Sequence, residues 1–325
     1  MNLDLGKILI TGGAGFIGSH LTETLVKNNN EVIVLDNLSS GLKSNLEMCN
    51  NKNNFKLIID DIENLEKKLD ILNEIKTVFH IAAYPEVRTG FETPELAYNQ
   101  NIKNTFTILE NIRKGDVDKF VFASSSVVYG EPKILPTTED YGPLLPISVY
   151  GGSKLACEGL VSSYCHTYGI KGTIVRFANV IGARSRHGVI WDFIKKLERN
   201  QNELEILGDG KQTKSYIHVD DCINAILFCV ENSKNQVDVF NIGNEDQIDV
   251  LNIGSIICES LGLENVKIST KGGTIDGRGW IGDIKNMQLD ISKVSNLGWS
   301  PKLNSKQSVE KASKEIIYEN KDQSP

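Results

Sequence analysis

The sequence predicts an α/β protein built on a doubly wound parallel sheet, followed by a smaller C-terminal α/β domain. The first observation is the stretch 7–18, where a buried strand, a glycine-rich turn and a helical pattern follow one another directly. The second is that strand and helix patterns alternate as far as about residue 180. The third is that this alternation loosens afterwards. We therefore expect domains at 1–180 and 181–325, with some later segments returning to pack on the first.

The glycine-rich turn has the composition of a phosphate-binding turn. Gly12, Gly15 and Gly18 are spaced three and three apart. In such a turn one glycine permits a conformation that a Cβ would block, another lets the backbone approach a pyrophosphate, and the last lets helix and strand pack closely. The pyrophosphate then meets the N–H groups and the positive dipole end of the helix. The stretch predicts the first half of a Rossmann dinucleotide-binding unit.

The second predicted strand, 31–35, leads directly into an acidic residue, Asp36. A carboxylate at this position can accept hydrogen bonds from both hydroxyls of an adenosine ribose, and it repels a 2′-phosphate. No Arg or Lys follows until Lys43. The sequence therefore favours NAD over NADP as the cofactor.

The residues after the next strands also point to a cofactor. Asp61 can accept from an adenine amino group or cap a helix, and Ile62 can cover the ring. Ala82 and Ala83 are small, so a cofactor can lie close to them. The predicted strands of the first domain are 7–11, 31–35, 55–59, 77–81, 117–123 and 173–177. The shorter strands predicted after them are 204–207, 216–219, 237–242 and 266–269. The main predicted helices are 94–113, 150–168, 188–200, 219–231, 250–261, 290–297 and 305–318.

Composition argues against several classes of function. The net charge is −7 and no basic patch stands out, so we expect no nucleic-acid partner. No signal peptide and no apolar run long enough to span a bilayer is present, so we expect a cytoplasmic protein without membrane contact. The six cysteines show no Cys-x-x-Cys spacing and are expected to be buried free thiols. The five histidines show no ligand spacing, so we predict no metal site.

Tyr150 and Lys154 are four residues apart at the start of a predicted helix and therefore share one face of it. For a tyrosine to act as a base near pH 7, its pKa must fall from about 10, which takes roughly 4 kcal/mol. A nearby ammonium and a positively charged nicotinamide can supply much of this. A serine of the cluster 124–126, after the fifth strand, can bond the same substrate hydroxyl. We therefore predict a hydride-transfer site.

Motifs distributed along nearly the whole chain carry a family resemblance. They are 11–18, Asp36, Asp61-Ile62, 80–83, Asn101, 124–130, 150–154, 176–179, 208–212, Gly282-Asp283 and 297–301. On these motifs the chain resembles the extended short-chain dehydrogenase/reductase family of nucleotide-sugar enzymes, and within it the UDP-glucose 4-epimerase-like members.

The resemblance implies a role for each matching residue. Catalysis is assigned to Ser125, Tyr150 and Lys154. The implied cofactor contacts are Gly12, Gly15, Phe16, Ile17, Gly18, Asp36, Asn37, Asp61, Ile62, Ala82, Ala83, Asn101, Tyr150 and Lys154. The implied substrate contacts are Arg88, Ser125, Ser126, Tyr150, Asn179, Lys214, Arg278, Asp283 and Met287.

The chain departs from the family pattern at three positions. Lys214 stands where an Arg usually binds the diphosphate, which keeps the charge but loses the bidentate fork. Trp280 stands where a second Arg is common, and Arg278 two residues earlier is the substitute contact. Asn104 replaces a usual glycine. At the position that lines the hexose pocket in such relatives, Met287 is intermediate in size and flexible, which predicts some tolerance of N-acetylhexosamines.

The implied activity is NAD-dependent C4 epimerisation of a UDP-hexose through a transient 4-keto sugar, carried out by a homodimer. One alternative is a UDP-glucuronate 4-epimerase, in which Arg88, Arg184 or Arg186 reads the carboxylate. Another is a 4,6-dehydratase or decarboxylase, but such enzymes use an acid where Val127 stands. A third is a non-enzymatic NAD-sensing protein, which the intact catalytic set disfavours.

Overall fold

The structure of this chain is a computed structural model that describes residues 4–68, 72, 74–87 and 90–322. The sequence suggested a boundary near residue 180 with some later segments returning to the first domain. The chain folds into two units, and it passes between them after residues 128, 148, 176, 222 and 240. The first unit contains the described residues of Met1–Val128, Val149–Arg176 and Ile223–Phe240. The second contains those of Tyr129–Ser148, Phe177–Cys222 and Asn241–Pro325. Which unit binds the cofactor and which the sugar stays a prediction.

Strands and helices alternate through the first half of the chain and become shorter after it. The strands are β1 (Lys7–Thr11), β2 (Val32–Asp36), β3 (Phe55–Ile59), β4 (Ile75–His80), β5 (Lys119–Ser125), β6 (Lys171–Phe177), β7 (Asn179–Ile181), β8 (Glu203–Leu207), β9 (Thr213–Lys214), β10 (Tyr216–His218), β11 (Val237–Ile242), β12 (Ile248–Asp249), β13 (Lys267–Lys271) and β14 (Asn286–Met287). The α-helices are α1 (Phe16–Lys27), α2 (Pro94–Ala97), α3 (Asn104–Ile112), α4 (Val149–Tyr168), α5 (Val189–Arg199), α6 (Val219–Asn232), α7 (Val250–Ser260), α8 (Ser292–Ser295) and α9 (Ser305–Asp322).

A seven-stranded sheet has the order β11-β6-β5-β4-β1-β2-β3. The pairs from β3 across to β5 are parallel, with Ile10 opposite both Val34 and Phe79. The strand order reverses beside β1, as in a doubly wound sheet, so the predicted fold class is confirmed. β1 and β2 are buried almost throughout, because parallel strands of this kind are covered by helices on both faces. Their carboxyl ends lie at one edge of the sheet, where the predicted site residues begin.

The second unit has smaller sheets and its own core. The pair β10-β7 is parallel, β9 lies between β12 and β14, and β13 pairs with β8. α5, α7 and α9 bury apolar side chains together with β8, among them Phe193, Leu197, Ile257 and Ile316. The sequence did not predict β7, β9, β12 or β14, because two- and three-residue strands are too short to show a hydrophobic period.

Two predicted elements differ in detail from the structure. The sixth strand ends at Phe177, as predicted, but begins at Lys171, and Asn179 begins the separate strand β7. The predicted helix 94–113 contains a π-helical segment, Tyr98–Lys103, between α2 and α3. A π-helical turn widens the hydrogen-bonded ring by one residue and so rotates the side chains that follow it. Asn101, a predicted cofactor contact, lies within this segment.

Further properties follow from the described residues. All six cysteines are among them, and each is buried and free of a disulfide, as predicted. None of the described helices combines the length and apolar composition needed to cross a membrane. In the same part of the chain, no group of three or more His, Cys, Asp or Glu side chains is arranged to hold a metal ion.

We predict that Gly18→Ala destabilises the protein. A Cβ at this position would lie 2.1 Å from the carbonyl oxygen of Gly12, and backbone cannot move aside cheaply. Forcing an extra carbon into such a contact costs about 1–3 kcal/mol, so the urea midpoint should fall. The control is Gly159→Ala, at an exposed position in the middle of α4, where a Cβ meets nothing within 4 Å. This change should stabilise the helix by about 0.5–1 kcal/mol. Equal midpoints for the two variants would contradict the prediction.

Candidate active site

The glycine turn brings the end of β1 against the residues that follow β4. Gly12 has a φ of +70°, and a Cβ there would lie 2.6 Å from the backbone nitrogen of Ala82. The N–H groups of Ile81 and Ala82 both donate to the carbonyl of Thr11, at 3.1 and 3.0 Å. The predicted cofactor residues Gly12 and Ala82 are therefore in contact, and Ala83 follows at the same strand end. Their small size leaves the backbone accessible to a flat ligand.

The first turn of α1 is suited to an anion. The helix begins at Phe16, which Ile17 follows, and its N-cap, Gly15, makes no side-chain capping hydrogen bond. The first turn also contains no acidic residue. Backbone donors at a helix N-terminus that no side chain caps are available to an anion such as a pyrophosphate. This cradle, which a Cβ at Gly18 would obstruct, fits the diphosphate of a dinucleotide.

Asp36, predicted to bind the adenosine ribose, lies at the end of β2 beside the glycine turn. Its side chain is buried, and its two carboxylate oxygens accept from the backbone N–H groups of Ala14 and Leu38, each at 2.8 Å. A carboxylate oxygen has two acceptor positions, so both retain one for a ribose hydroxyl. The neighbouring Asn37 donates to Asp61 at 3.0 Å, which joins the ends of β2 and β3. Ile62, also buried, begins a 3₁₀ turn after Asp61.

Asn101 connects the π-helical segment to α4. Its amide oxygen accepts from the Tyr84 N–H at 2.7 Å, and its amide nitrogen donates to the Ser153 hydroxyl at 2.8 Å. Ser153 in turn donates to the carbonyl of Tyr150 at 2.7 Å. A buried side chain whose amide is bonded on both sides is held in one orientation. Asn101 therefore fixes the first turn of α4, where Tyr150 lies. We predict that Asn101 contributes to cofactor binding by holding this turn in place.

Ser125, Tyr150 and Lys154 come together where β5 ends and α4 begins. Ser125 is the last residue of β5, and its hydroxyl shares a hydrogen bond with the phenol of Tyr150. The Lys154 Nζ donates to the carbonyl of Ala123 at 2.7 Å and lies 5.9 Å from the centre of the Tyr150 ring. Ser126, also buried, starts a 3₁₀ turn directly after them. The predicted catalytic residues are thus neighbours in one unit.

The protein's own groups shift the pKa of Tyr150 in the direction opposite to the prediction. Burial raises the pKa of the phenol, and the hydrogen bond with Ser125 only partly offsets this. Burial also lowers the pKa of Lys154 to about 8, against the attraction of Cys157 and Glu158. The prediction of a tyrosine brought near pH 7 relied on the positive nicotinamide as well as on Lys154, and it stays a prediction; the desolvation of both groups is a cost that it left out.

A buried ion pair lies directly behind this set, and the sequence analysis missed it. Arg176 of β6 holds Glu158 of α4 in bidentate fashion, with Nε to Oε1 at 2.9 Å and Nη2 to Oε2 at 2.7 Å. Ser124 donates to the same Glu158 Oε1. The exposed fractions of the Arg and Glu side chains are 5% and 7%, so both charges are desolvated. The eight-residue spacing from Tyr150 to Glu158, two helical turns, was the available signal.

The second unit holds most of the predicted substrate contacts. Asn179 donates its amide to the carbonyl of Ser215 at 3.0 Å at the start of β7. Met287, buried in β14, is directly opposite Lys214 of β9 in parallel register. The Lys214 Nζ lies 2.6 Å from a carboxylate oxygen of Asp283. The residues predicted for diphosphate and hexose are therefore adjacent in this unit, and the predicted diphosphate lysine is paired with an acid.

Arg278 is also paired with acids. Its Nη2 lies 2.7 Å from Glu131 and its Nε lies 2.6 Å from Asp276. Trp280, close by in sequence, buries its indole N–H without a hydrogen-bond partner among the described residues, and the Lys214 Nζ lies 5.7 Å from its ring centre. Leaving a buried donor without a partner is costly, so this N–H is a candidate donor to a ligand oxygen. Arg88, also predicted for the substrate, lies outside the described residues.

Comparisons with known proteins agree with this geometry. A putative UDP-glucose 4-epimerase of Methanocaldococcus jannaschii is 38% identical over 309 residues, which cover 94% of this chain and 96% of that protein. A solved UDP-galactose 4-epimerase is 40% identical, with a TM-score of 0.83 over 96% of this chain and 99% of that one. A UDP-glucuronic acid 4-epimerase from Bacillus cereus, solved with UDP-glucuronic acid and NAD, is 32% identical, with a TM-score of 0.86 over 96% and 99%.

A sequence model of one family matches most of the chain. The match covers residues 8–243, from the first strand past the last strand of the seven-stranded sheet. It therefore contains the glycine turn, Asp36 and the serine–tyrosine–lysine set. The chain belongs to the NAD-dependent epimerase/dehydratase family.

Proposed function

We propose that this protein is an isomerase that interconverts UDP-glucose and UDP-galactose by NAD-dependent epimerisation at C4. The observation that carries the proposal is the hydrogen bond between Ser125 and Tyr150 beside Lys154, at the end of a Rossmann sheet. The similarity to proteins named UDP-glucose and UDP-galactose 4-epimerases supports it. The first unit is proposed to bind NAD and the second the nucleotide sugar. A homodimer and a cytoplasmic location stay predictions.

The chain's part in the chemistry is to move one proton. Tyr150 accepts the proton from the sugar O4 hydroxyl, and Ser125 bridges the two oxygens through its own hydroxyl. NAD held by the first unit would supply the hydride chemistry at C4. The ammonium of Lys154 stabilises the phenolate while the proton is away. Because burial raises the pKa of Tyr150, lowering it is assigned to this positive charge together with that of the oxidised nicotinamide.

Retention of the nucleotide while the hexose turns is assigned to the second unit. We propose that Asn179, Lys214 and Arg278 contact the diphosphate and that the Trp280 indole N–H adds a neutral donor. In this proposal Arg278 exchanges its acidic partners Glu131 and Asp276 for phosphate oxygens, while Lys214 keeps its contact with Asp283 and directs a second N–H to the phosphate. Asp283 then serves to hold Lys214 in place. Anchoring through the diphosphate leaves the hexose free to present either face.

The rival reactions differ in the residues they need. In a dehydratase, elimination across C5 and C6 needs an acidic residue after the catalytic serine. The 3₁₀ turn Ser126–Tyr129 contains no acidic residue, and the valine at position 127 cannot exchange a proton. UDP-glucuronate is the second candidate substrate, because the Bacillus cereus structure with 32% identity is a UDP-glucuronic acid 4-epimerase. Among the residues that the structure describes, Arg184 and Arg186 are proposed to bind the carboxylate of UDP-glucuronate. Met287, intermediate in size, is proposed to give some tolerance of N-acetylhexosamines.

A panel of UDP-sugars tests the proposed function. Purified protein should interconvert UDP-glucose and UDP-galactose, as resolved by NMR of the products, and should convert UDP-N-acetylglucosamine more slowly and UDP-glucuronate least. It should carry NAD(H) through gel filtration and accumulate no free NADH, because oxidation and reduction occur in one site. If UDP-glucuronate turned over faster than UDP-glucose, UDP-glucuronate would be the substrate in its place. Stoichiometric release of NADH would identify a dehydrogenase instead.

Tyr150→Phe should slow epimerisation by about 10²–10⁴-fold, the usual scale of general acid–base catalysis. The ring volume is kept, so folding and bound NAD should survive. Ser125→Ala should cost less, and the double variant should be less than additive because both residues act on one proton path. Single-turnover epimerisation of UDP-galactose measures this, with Tyr318→Phe, 67% exposed in α9, as the matched control. A near wild-type rate for Tyr150→Phe would assign the base elsewhere.

Asp36→Ala should weaken NAD binding. Each charge-assisted bond to a ribose hydroxyl is worth on the order of 1.5–3 kcal/mol, so losing one lowers affinity roughly 10- to 100-fold. NAD content after gel filtration and calorimetry on stripped protein measure the loss. Asp116→Ala, an exposed acid of the same unit, is the control and should retain wild-type affinity. Unchanged affinity in Asp36→Ala would remove this residue from the cofactor site.

A further inference from the structure

The buried pair of Glu158 and Arg176 is unlike the other ion pairs of the first unit. Surface pairs such as Lys7–Glu74 and Lys103–Glu63 are exposed on at least one side and contribute little. The Glu158–Arg176 pair is desolvated, bidentate and joined by a third group, the Ser124 hydroxyl. Burying two charges costs several kcal/mol per ion, and apolar side chains of similar size often serve stability as well. Stability alone therefore does not explain why these two charges are buried.

The pair is connected to the catalytic residues from two sides. Tyr150, Lys154 and Glu158 follow one another at four-residue intervals on α4, so they form one row along the helix. This row bonds the end of β5 twice, from Lys154 to the carbonyl of Ala123 and from Ser124 to Glu158. Ser125 is the next residue of the strand. The position of its hydroxyl relative to Tyr150 therefore depends on both bonds.

The titratable groups that surround Lys154 belong to several elements. On its own helix, burial raises the pKa of Tyr150 and the pKa of Cys157. His80 of β4 has a pKa lowered to about 3 by burial and by Lys154, so it is neutral. Cys157 and, one residue further along the helix, Glu158 raise the pKa of Lys154 against the effect of burial. Arg176, beyond Glu158, partly offsets the attraction that Glu158 exerts.

We propose that Glu158 is a positioning residue, which aligns the Ser125 end of β5 with α4 and keeps Lys154 in its ammonium form. Arg176 makes the arrangement possible, because it satisfies the carboxylate that would otherwise be buried unpaired. The proposal rests on the roles of Tyr150 and Lys154 in the proposed function. It predicts two separable effects, one on the titration of Lys154 and one on the alignment of the serine.

The direct test is the titration of Lys154 by NMR of protein carrying ¹³C-labelled lysine. The Lys154 signal is assigned by its loss in Lys154→Met. Wild-type Lys154 should titrate near pH 8. In Glu158→Gln, which keeps an acceptor for Ser124 and removes the charge, the midpoint should fall by on the order of one pH unit. An unchanged midpoint overturns the proposal. The measurement needs no substrate, so a wrong sugar assignment does not affect its outcome.

The matched variant is Ser124→Ala, which removes the hydrogen bond and keeps the charge of Glu158. Its Lys154 midpoint should stay at the wild-type value, while single-turnover epimerisation slows because Ser125 is less well aligned. In Glu158→Gln the alkaline limb of the pH–rate profile should move to lower pH, since the ammonium is lost as the pH rises through its pKa. Equal effects of both variants on the midpoint would reduce the pair to a structural role and overturn the proposal.

Glu158→Gln leaves a buried guanidinium without its charge partner, so this variant is tested beside Glu158→Gln/Arg176→Gln. The double variant removes both buried charges and therefore avoids the unpaired one. Its Lys154 midpoint should fall in the same direction by a smaller amount, because an attraction and a more distant repulsion are lost together. A rise, or no change, in the folded double variant overturns the proposal even if the single variant does not fold.

Discussion

The contact on which the site depends is the hydrogen bond from the Lys154 ammonium to the carbonyl of Ala123. It joins a helix to the end of a strand and places a positive charge in a desolvated position. The same contact orients Lys154 toward the strand and leaves its Nζ 5.9 Å from the Tyr150 ring. The chemistry therefore begins from a lysine whose charge is costly to keep and a tyrosine whose proton is costly to remove. Neighbouring groups have to lower both costs.

The parts of this architecture that are local in sequence could be predicted from it. The glycines of the turn between β1 and α1 stand together within one stretch of twelve residues, and Asp36 follows its strand directly. The four-residue spacing of Tyr150 and Lys154 fixes a shared helical face whatever the rest of the chain does. A strand order with its reversal beside β1 follows from regular alternation and right-handed crossovers. Local periodicity therefore sufficed for the fold class and for the set of three residues.

The parts that depend on distant partners could not be predicted. Arg176 and Glu158 are eighteen residues apart, and Lys214 and Asp283 are sixty-nine apart, so no spacing rule connects them. The effect of burial on Tyr150 could not be predicted for the same reason, since burial raises the pKa of the phenol and depends on the whole fold. The π-helical segment around Asn101 also has no simple signature, because its one-residue widening depends on what the side chains reach.

The interleaving of the two units has a consequence for synthesis on the ribosome. The edge strand β11 of the seven-stranded sheet lies between residues 237 and 242, after the segments Tyr129–Ser148 and Phe177–Cys222 of the second unit have been made. Until then β6 has an unpaired edge, which is a template for pairing with another chain. A fragment that stops near residue 180 keeps that open edge permanently. The nascent chain must therefore protect β6 through more than sixty residues of translation, which makes this strand the place where premature termination leads to aggregation.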